Sequence, residues 1–305
     1  MSSPALSAIV VHWRGEEDLA RLLAAWPDDP SFELVVVNNG PAALGDRPPA
    51  RILEAGGNLG FAGGSNRGAA AARGDLLLLL NPDALPRAGA LAALVDGFAA
   101  LPDAAGLAPR LVSPEGAPQF RWQLRPLPRL GELLAQAFFL DLVRGPEREP
   151  AAGDPVAQPA AAALALRRAA FDAVGGFDPR FHPAWFEDVD LARRLADRRL
   201  VVRYWPAAEL VHRGGSSVAT LGYGAFLSAY TANLARYIAK HHGRGWALLL
   251  RALVPAGALA RLVALPLRRP RRAASRGEAA RGLVALAGAA LSGWPAAGRA
   301  GGNAA

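Results

Sequence analysis

Residues 76–83 read Leu76-Leu77-Leu78-Leu79-Leu80-Asn81-Pro82-Asp83, an apolar run that stops at an amide, a proline and a carboxylate. Five consecutive leucines need apolar cover on both faces, as the central strands of α/β sheets do. Open α/β sheets hold their ligands just beyond the carboxyl ends of such strands. Asp83 is therefore expected at a ligand edge, where a metal–phosphate group would sit. Further along, Trp185-Phe186-Glu187-Asp188-Val189-Asp190-Leu191 opens a helix with a second set of acids. The two acidic segments together suggest an enzyme acting on a nucleotide-linked substrate.

Outward from the leucine run, β-type stretches at 7–13, 33–37, 51–54, 76–80 and 105–112 alternate with helical patterns at 16–26, 66–73 and 91–101. That alternation is the mark of a mostly parallel α/β sheet. Residues 113–159 are rich in proline and arginine with little periodicity, which reads as a functional loop or an insertion with its own short helices. A strand at 160–166, a helix at 168–174 stopped by Gly175-Gly176, a helix at 187–197 and a strand at 200–204 follow. Residues 208–212 are expected to pair nearby. From Tyr223 the chain reads as helical and increasingly basic, so a catalytic domain is expected over 1–222 and a helical region over 223–305.

The chain has 305 residues and no cysteine, which excludes disulfides and thiolate metal or redox chemistry. Its first residues lack a basic stretch ahead of the apolar run and read as a strand rather than a signal peptide, so cytosolic residence is expected. The net charge of +8 is uneven. Residues 236–305 hold 12 Lys/Arg and one acid, Glu278, whereas residues 1–235 are slightly acidic. Few aromatics are interleaved with those arginines, so no nucleic-acid partner is expected. Residues 246–267 are apolar but broken by Arg251, Pro255, Arg261 and Pro266, and 283–294 is shorter still. Neither offers the ~20 clean apolar residues of a spanning helix. With Arg268-Arg269-Pro270-Arg271-Arg272 alongside, the pattern suits an anionic membrane surface. The plainer alternative is a helical appendage with solvated arginines.

Asn58-Leu59-Gly60-Phe61-Ala62-Gly63-Gly64-Ser65-Asn66-Arg67-Gly68 is read as a loop whose glycines let backbone approach a ligand, ahead of helix-opening amides that favour phosphate. Its spacing matches neither the dinucleotide fingerprint nor a Walker loop. A tight turn needing small residues is the alternative. Asp83 is assigned to magnesium or manganese, hard cations that take one or two carboxylates plus substrate phosphate. Asn81 can add a neutral oxygen. Acids at a helix N-terminus explain Glu187 and Asp190 without function. The run Phe181-His182-Pro183-Ala184-Trp185-Phe186 ahead of them would raise a carboxylate's basicity and stack a sugar ring. Asp188 is therefore the expected general base, with Glu187 as fallback, and His182, Trp185 and Phe186 are expected at the acceptor. His212 ends a strand before a glycine turn, where a structural role and a metal or phosphate contact are equally open.

Taken in order, the segments 9–13, Val35-Val36-Val37-Asn38-Asn39-Gly40, Asn58 to Asn66, Leu80 to Asp83, Gly175-Gly176-Phe177-Asp178, Ala184 to Leu191 and 212–216 resemble a family 2 inverting glycosyltransferase of the GT-A fold. The likeness is nearest to the bacterial rhamnosyltransferase-like group and covers residues 5–220. It implies a nucleotide-sugar donor under the first strands, contacted by Val11, Trp13, Asn38, Asn58, Gly60, Phe61, Gly63, Asn66, Asn81 and Arg194, with Asn38 facing the base. It also implies a magnesium or manganese ion held by Asp83 with His212, and proton removal from the acceptor by Asp188. Two residues depart from the family pattern: Asn38 stands for an aspartate, and Arg14 for an asparagine after the first strand. The implied activity is sugar transfer, rhamnose from dTDP-rhamnose at the family level, to a glycan or lipid-linked glycan in cell-surface polysaccharide synthesis. The expected location is cytoplasmic, peripheral on the inner face of the plasma membrane if the basic tail engages lipid. A sugar-nucleotide nucleotidyltransferase and a non-catalytic nucleotide-binding scaffold remain as alternatives.

Overall fold

The computed structural model describes residues 3–214, 221–267 and 269–294. The chain divides into two compact units, the first comprising 1–127, 144–179 and 187–216, the second 128–143, 180–186 and 217–305.

The first unit is built on β1 (Leu6–His12), α1 (Glu16–Ala25), β2 (Phe32–Asn38), β3 (Arg51–Glu54), α2 (Gly60–Ala71), β4 (Leu76–Leu80), β5 (Ala84–Pro86), α3 (Ala90–Ala100) and β6 (Gly106–Val112). After these come α4 (Phe120–Gln123) and β7 (Leu124–Arg125). The strands run in the order β3-β2-β1-β4, continue through β10 (Ala163–Arg167), β6 and β11 (Val202–His212), and end at β5. β8 (Pro155–Val156) pairs with β11, and β9 (Gln158–Pro159) forms a small separate ribbon with β7. β3, β2, β1 and β4 are mutually parallel, and β6 is parallel to β11. β10 runs antiparallel between β4 and β6, as do β5 and β8 against β11. The sheet is thus mostly parallel, as the alternating pattern implied.

The leucine run of β4 is divided between two cores. Leu78 and Leu80 pack with Val10, Val36 and Leu94 on one face, and Leu77 and Leu79 pack with Ile9, Val35 and Phe171 on the other. All four are fully buried. Cover comes from α1 and α3 on one side, and on the other from α2, α6 (Arg168–Ala173) and α7 (Glu187–Asp197). Strand order reverses between β1, which leads outward to β2, and β4, which starts the other half. Such a switch point opens a crevice at the carboxyl ends of those strands, where His12 and Asn81 stand.

Two local expectations are corrected here. The stretches 200–204 and 208–212 are one strand, β11, whose register slips between Trp205 and Glu209. Pro206 sits in that slip, the place a sheet tolerates a residue that cannot donate to the ladder. The glycine-rich stretch is not a loop: it is helical from Gly60 onward.

In the second unit, α5 (Leu130–Ala135) and a 3₁₀ turn (Gln136–Phe138) accompany three long helices, α8 (Tyr223–His241), α9 (Arg244–Ala264) and α10 (Arg276–Ser292). α10 starts at Ser275, whose hydroxyl caps the Glu278 amide, and Glu278 accepts from the Tyr223 amide that opens α8. Trp185 and Phe186 belong to this unit and both hold positive φ, 77° and 69°, a region bulky residues rarely occupy. Asn233 secures the bend by donating to the Ala184 carbonyl at 2.7 Å. α9 overturns the expectation of interrupted apolar pieces: it is one helix, long and apolar enough by length and composition to cross a membrane. Pro255 removes a single backbone bond, and Arg251 and Arg261 are turned to the Ala290 carbonyl and the Phe139 ring.

Candidate active site

β4 delivers Asp83 three residues past its last leucine, and β11 delivers His212 opposite Ala84 of β5. Both side chains are buried, at 4% and 5% exposure. The His212 Nε2 lies 3.6 Å from Asp83 Oδ1. The far side of the ring is held by Gln119. Its Nε2 donates to the His212 carbonyl at 2.8 Å, so its Oε1 faces His212 Nδ1 at 2.9 Å. A backbone carbonyl only accepts, so this amide orientation is fixed, and Nδ1 must carry the ring proton. The Nε2 lone pair is left directed at the Asp83 carboxylate. Burial holds the imidazole below its ordinary pKa, against the opposing pull of Asp83, so the ring is neutral near pH 7. Two buried electron-pair donors thus face each other, one carboxylate and one imidazole, a set that fits a divalent cation accepting both oxygen and nitrogen, manganese more readily than magnesium. Among the described residues no group of three or more metal-ligating side chains occurs, so substrate oxygens would have to complete the shell. Trp122 covers the ring at 5.2 Å between centroids.

Glu187 and Asp188 start α7 in the same unit. Glu187 is buried, with Oε2 unpartnered. Its carboxyl is pushed well up, first by burial and then by the Asp188 charge. Asp188 is densely surrounded yet keeps part of its surface open. Burial raises its pKa, while hydrogen bonds from the Val189 and Ala161 amides and the charge of Arg125 work the other way. Two chains of contact join it to the Asp83 end of the sheet. The Asp188 carboxyl takes the Ala161 amide, and the next carbonyl, Ala162, accepts the Asn81 N–H at 2.9 Å. The segment 119–125 meets His212 through Gln119 and Trp122 and Asp188 through Arg125.

The remaining predicted residues divide. Val11 and Trp13 flank the end of β1, with Arg14 stacked on the Trp13 ring at 4.5 Å. Asn58 is exposed and accepts the Gly60 amide, and Phe61 packs edge-on to Phe177 at 5.6 Å. The glycines of α2 answer to packing. A β-carbon on Gly64 would lie 2.8 Å from a Val11 methyl, and one on Gly68 would overlap Ile9, so they let the helix sit tight on β1. A β-carbon on Gly63 would meet only Leu59, the residue before the helix, at 3.1 Å.

Four assigned donor or acceptor residues are spent inside the protein. Asn66 clasps the Phe177 backbone, donating to its carbonyl at 2.8 Å and accepting its amide at 2.9 Å. Arg194 pairs with fully buried Asp190 at 2.8 Å and donates to the Val174 and Gly176 carbonyls at 2.6 Å, closing the end of α6. Phe186 is buried between Tyr230 and Tyr237. Asn38 donates to Ala42 O and Glu54 Oε2, both at 2.7 Å, and accepts the Gly40 amide. An aspartate there would oppose Glu54 directly, which explains the departure from the family pattern.

His182 and Trp185 stand in the second unit, Trp185 edge-on to Phe226 at 5.1 Å. Sequence reasoning missed Gln119, Trp122, Arg125, Glu54 and Asn39. The last is buried beside Gly64, donates to Gly60 O at 2.9 Å and keeps an unpartnered Oδ1. Asn39 stands inside the segment 35–40 quoted above, with nothing there to single it out, and the other four lie outside every motif; the one available signal for Glu54 was Asn38, which stands where the family pattern has a charge.

A mostly parallel sheet with a strand-order switch between β1 and β4, an antiparallel β10 set into it, and a buried Asp–His pair at the carboxyl ends of its strands is the architecture of the GT-A class. The chain belongs to glycosyl transferase family 2, which it matches over residues 7–175. It is 30% identical over 229 residues to the N-acetylglucosaminyl-diphospho-decaprenol L-rhamnosyltransferase of Mycobacterium tuberculosis, covering 69% of this chain and 73% of that protein. It is 32% identical over 190 residues to the pre-mycofactocin glycosyltransferase of the same organism, 59% of this chain and 37% of that one. Among solved structures it is similar in fold to GalNAc-T7 with UDP, GalNAc and Mn²⁺ (TM-score 0.56, 13% identity, 77% of this chain and 48% of that chain). A second likeness in fold is to the mannosyltransferase PcManGT of Pyrobaculum calidifontis with GDP-Man and Mn²⁺ (0.51, 16%, 95% and 88%). The protein is therefore a glycosyltransferase of the rhamnosyltransferase-like group, and the nucleotidyltransferase alternative is set aside.

Proposed function

We propose that the protein moves a sugar from a nucleoside-diphosphate donor to a hydroxyl of a lipid-linked glycan, with inversion at the anomeric carbon. The observation that carries this reading is the Asp83–His212 pair, with its neutral, tautomer-fixed imidazole aimed at a buried carboxylate 3.6 Å away. Asp83 and His212 would hold magnesium or manganese. Such an ion, when bound, neutralises charge on a departing diphosphate. Asn39, with its unpartnered buried oxygen, is the donor-side addition to Val11, Trp13, Asn58 and Gly63.

Asp188 acts on the acceptor. Its carboxylate takes the hydroxyl proton as that oxygen attacks the anomeric carbon. The bond from carbon to the diphosphate oxygen breaks, its electron pair leaving with the diphosphate, and the single displacement inverts the centre. The raised pKa makes Asp188 a stronger base than a solvated carboxylate, and general-base help of this kind is worth ~10²–10⁴-fold. Glu187, buried beside it, keeps the pair's affinity for a proton high. The Mycobacterium relative's name supports a lipid-diphosphate acceptor and rhamnose as the sugar, and the manganese in the solved neighbours supports the ion. Such an acceptor would place the work at the inner face of the plasma membrane.

The test is to incubate the protein with manganese, a lipid-diphosphate N-acetylglucosamine acceptor and a panel of nucleotide sugars headed by dTDP-rhamnose. Nucleoside diphosphate release and the product's anomeric configuration are measured. Diphosphate release with an inverted linkage is expected. A retained linkage would remove the single displacement, and silence across the panel would leave the scaffold reading in its place.

A further inference from the structure

α9 is apolar on two sides. Inward, Leu250, Val254 and Ala258 are buried, and Gly257 lies so close to the Ala137 carbonyl that a β-carbon would not fit. Outward, Leu248, Leu259 and Val263 are 60%, 63% and 74% exposed, the exposed Ala252 and Ala256 keep their spacing of three and four, and Leu267, in the turn just past the helix, is 91% exposed. This outer strip carries no charge, because Arg251 is drawn to the Ala290 and Leu291 carbonyls and Arg261 lies over the Phe139 ring. Contiguous apolar surface of this kind marks a protein or membrane contact.

The strip runs into a groove of about 370 Å³ through a shared residue, Leu248. Arg236, Arg244 and Arg251 line that groove among alanines and Trp294, and no acid lines it. Arg251 also donates to the Ala290 and Leu291 carbonyls and Arg236 to Asn233, all neutral acceptors that leave the positive charge in place, so the groove suits an anion, and the apolar strip beside it suits a chain attached to that anion. A phospholipid has both. The exposed Arg269, Arg271 and Arg272 beyond α9 add to the same sign of charge.

We infer that the outer face of α9 docks on an anionic phospholipid bilayer, with the helix lying in the interface and a lipid phosphate seated among Arg236, Arg244 and Arg251. The helix has the length to cross, but its inner side is committed to the second unit, so it presents only one face to lipid, as interfacial helices do. The inference does not rest on the transfer reaction, since docking is measurable without donor or acceptor.

The experiment is co-sedimentation of the full chain with vesicles of phosphatidylcholine alone or mixed with phosphatidylglycerol. Binding to the mixed vesicles alone is expected. It should weaken between about 0.1 M and about 1 M salt, where the screening length falls from ~10 Å to ~3 Å, and alkaline carbonate should release the protein. Leu259→Glu and Val263→Glu should each lower partition ~10-fold or more. Arg244→Glu should lower binding to the mixed vesicles. Thermal unfolding of each variant checks that it is folded. Equal binding to both vesicle types, resistance to carbonate, or undiminished binding of the folded Leu259→Glu/Val263→Glu double variant would overturn the inference.

Discussion

Gln119→Leu isolates the feature on which the proposed ion site depends. The substitution keeps an apolar stem of similar bulk and deletes two contacts, the 2.8 Å bond to the His212 carbonyl and the 2.9 Å bond to Nδ1. Each is worth about 0.5–1.5 kcal/mol net, and a buried N–H left without a partner costs about 1–3 kcal/mol. That second cost is avoided if the proton moves to the other ring nitrogen. On Nε2 it would point at Asp83 and occupy the lone pair required for an ion. The variant should therefore lose ~1–3 kcal/mol of stability while its manganese affinity drops ~10–100-fold, the usual scale for a group that orients a metal-binding histidine. Manganese titration by calorimetry or electron paramagnetic resonance, with nucleoside diphosphate present, reads the affinity directly. Unchanged affinity in a folded Gln119→Leu variant would refute the tautomer argument, and with it the reason for pairing His212 with Asp83.

Asp188→Asn should retain donor binding by calorimetry and lose ~10²–10⁴ in kcat/KM; activity within tenfold of the parent would remove it as the base. Because burial raises the Asp188 pKa, its charged form is reached late, and the acid limb of the parent's pH–rate profile should lie above the ordinary carboxylate range. The same shift has a stability sign: above the unfolded values of 3.8 and 4.5 the native pair holds protons that the unfolded chain has shed, so stability falls as pH rises through the raised pKa values. Asp188→Asn should accordingly melt higher than the parent at neutral pH, with the gap closing towards pH 4; a variant that melts lower throughout would contradict this. Asn38→Asp sets a carboxylate against Glu54 at the 2.7 Å now spanned by an amide. A loss of about 1–3 kcal/mol after solvent screening is expected at neutral pH, shrinking as acid lets the pair share a proton; a pH-independent effect would rule out charge as the reason for Asn38. Gly68→Ala should cost ~1–3 kcal/mol by overpacking against Ile9, and a stabilised variant would show that α2 does not need its glycines against β1.

What could be read in advance follows a physical divide. The leucines of β4 encode their own burial because a strand has only two faces and both had to be covered; Leu77 to Leu80 end up fully buried in two separate cores. Helix α7 was equally open to reading, since acids crowd its first turn and its apolar residues keep helical spacing. Glycine is the ambiguous letter. A backbone free to meet a phosphate and a backbone free to meet a strand require the same absent side chain, and only Ile9 and Val11 opposite Gly68 and Gly64 decide in favour of packing.

Asn66 and Arg194 show the same ambiguity in polar form. A side chain with several hydrogen-bonding atoms reads equally well as a ligand contact or as a clasp on backbone. The clasp in each case joins distant parts of the chain, Asn66 to Phe177 and Arg194 to the carbonyls closing α6. Gln119 is the converse case. Nothing in the proline- and arginine-rich stretch marks it, because its importance arises from a partner 93 residues away. On the function proposed above, the His212 lone pair, the Asn39 oxygen and the Glu187 oxygen would be met by ligand, yet an open bond alone does not separate ligand-facing groups from the rest, since Ser65, Tyr237 and Arg194 also keep a buried atom without a partner. An unmet bond in a buried place costs stability, and what distinguishes the His212 lone pair is a second unmet acceptor, the Asp83 carboxylate, 3.6 Å away, a pairing that no single position along the chain could announce.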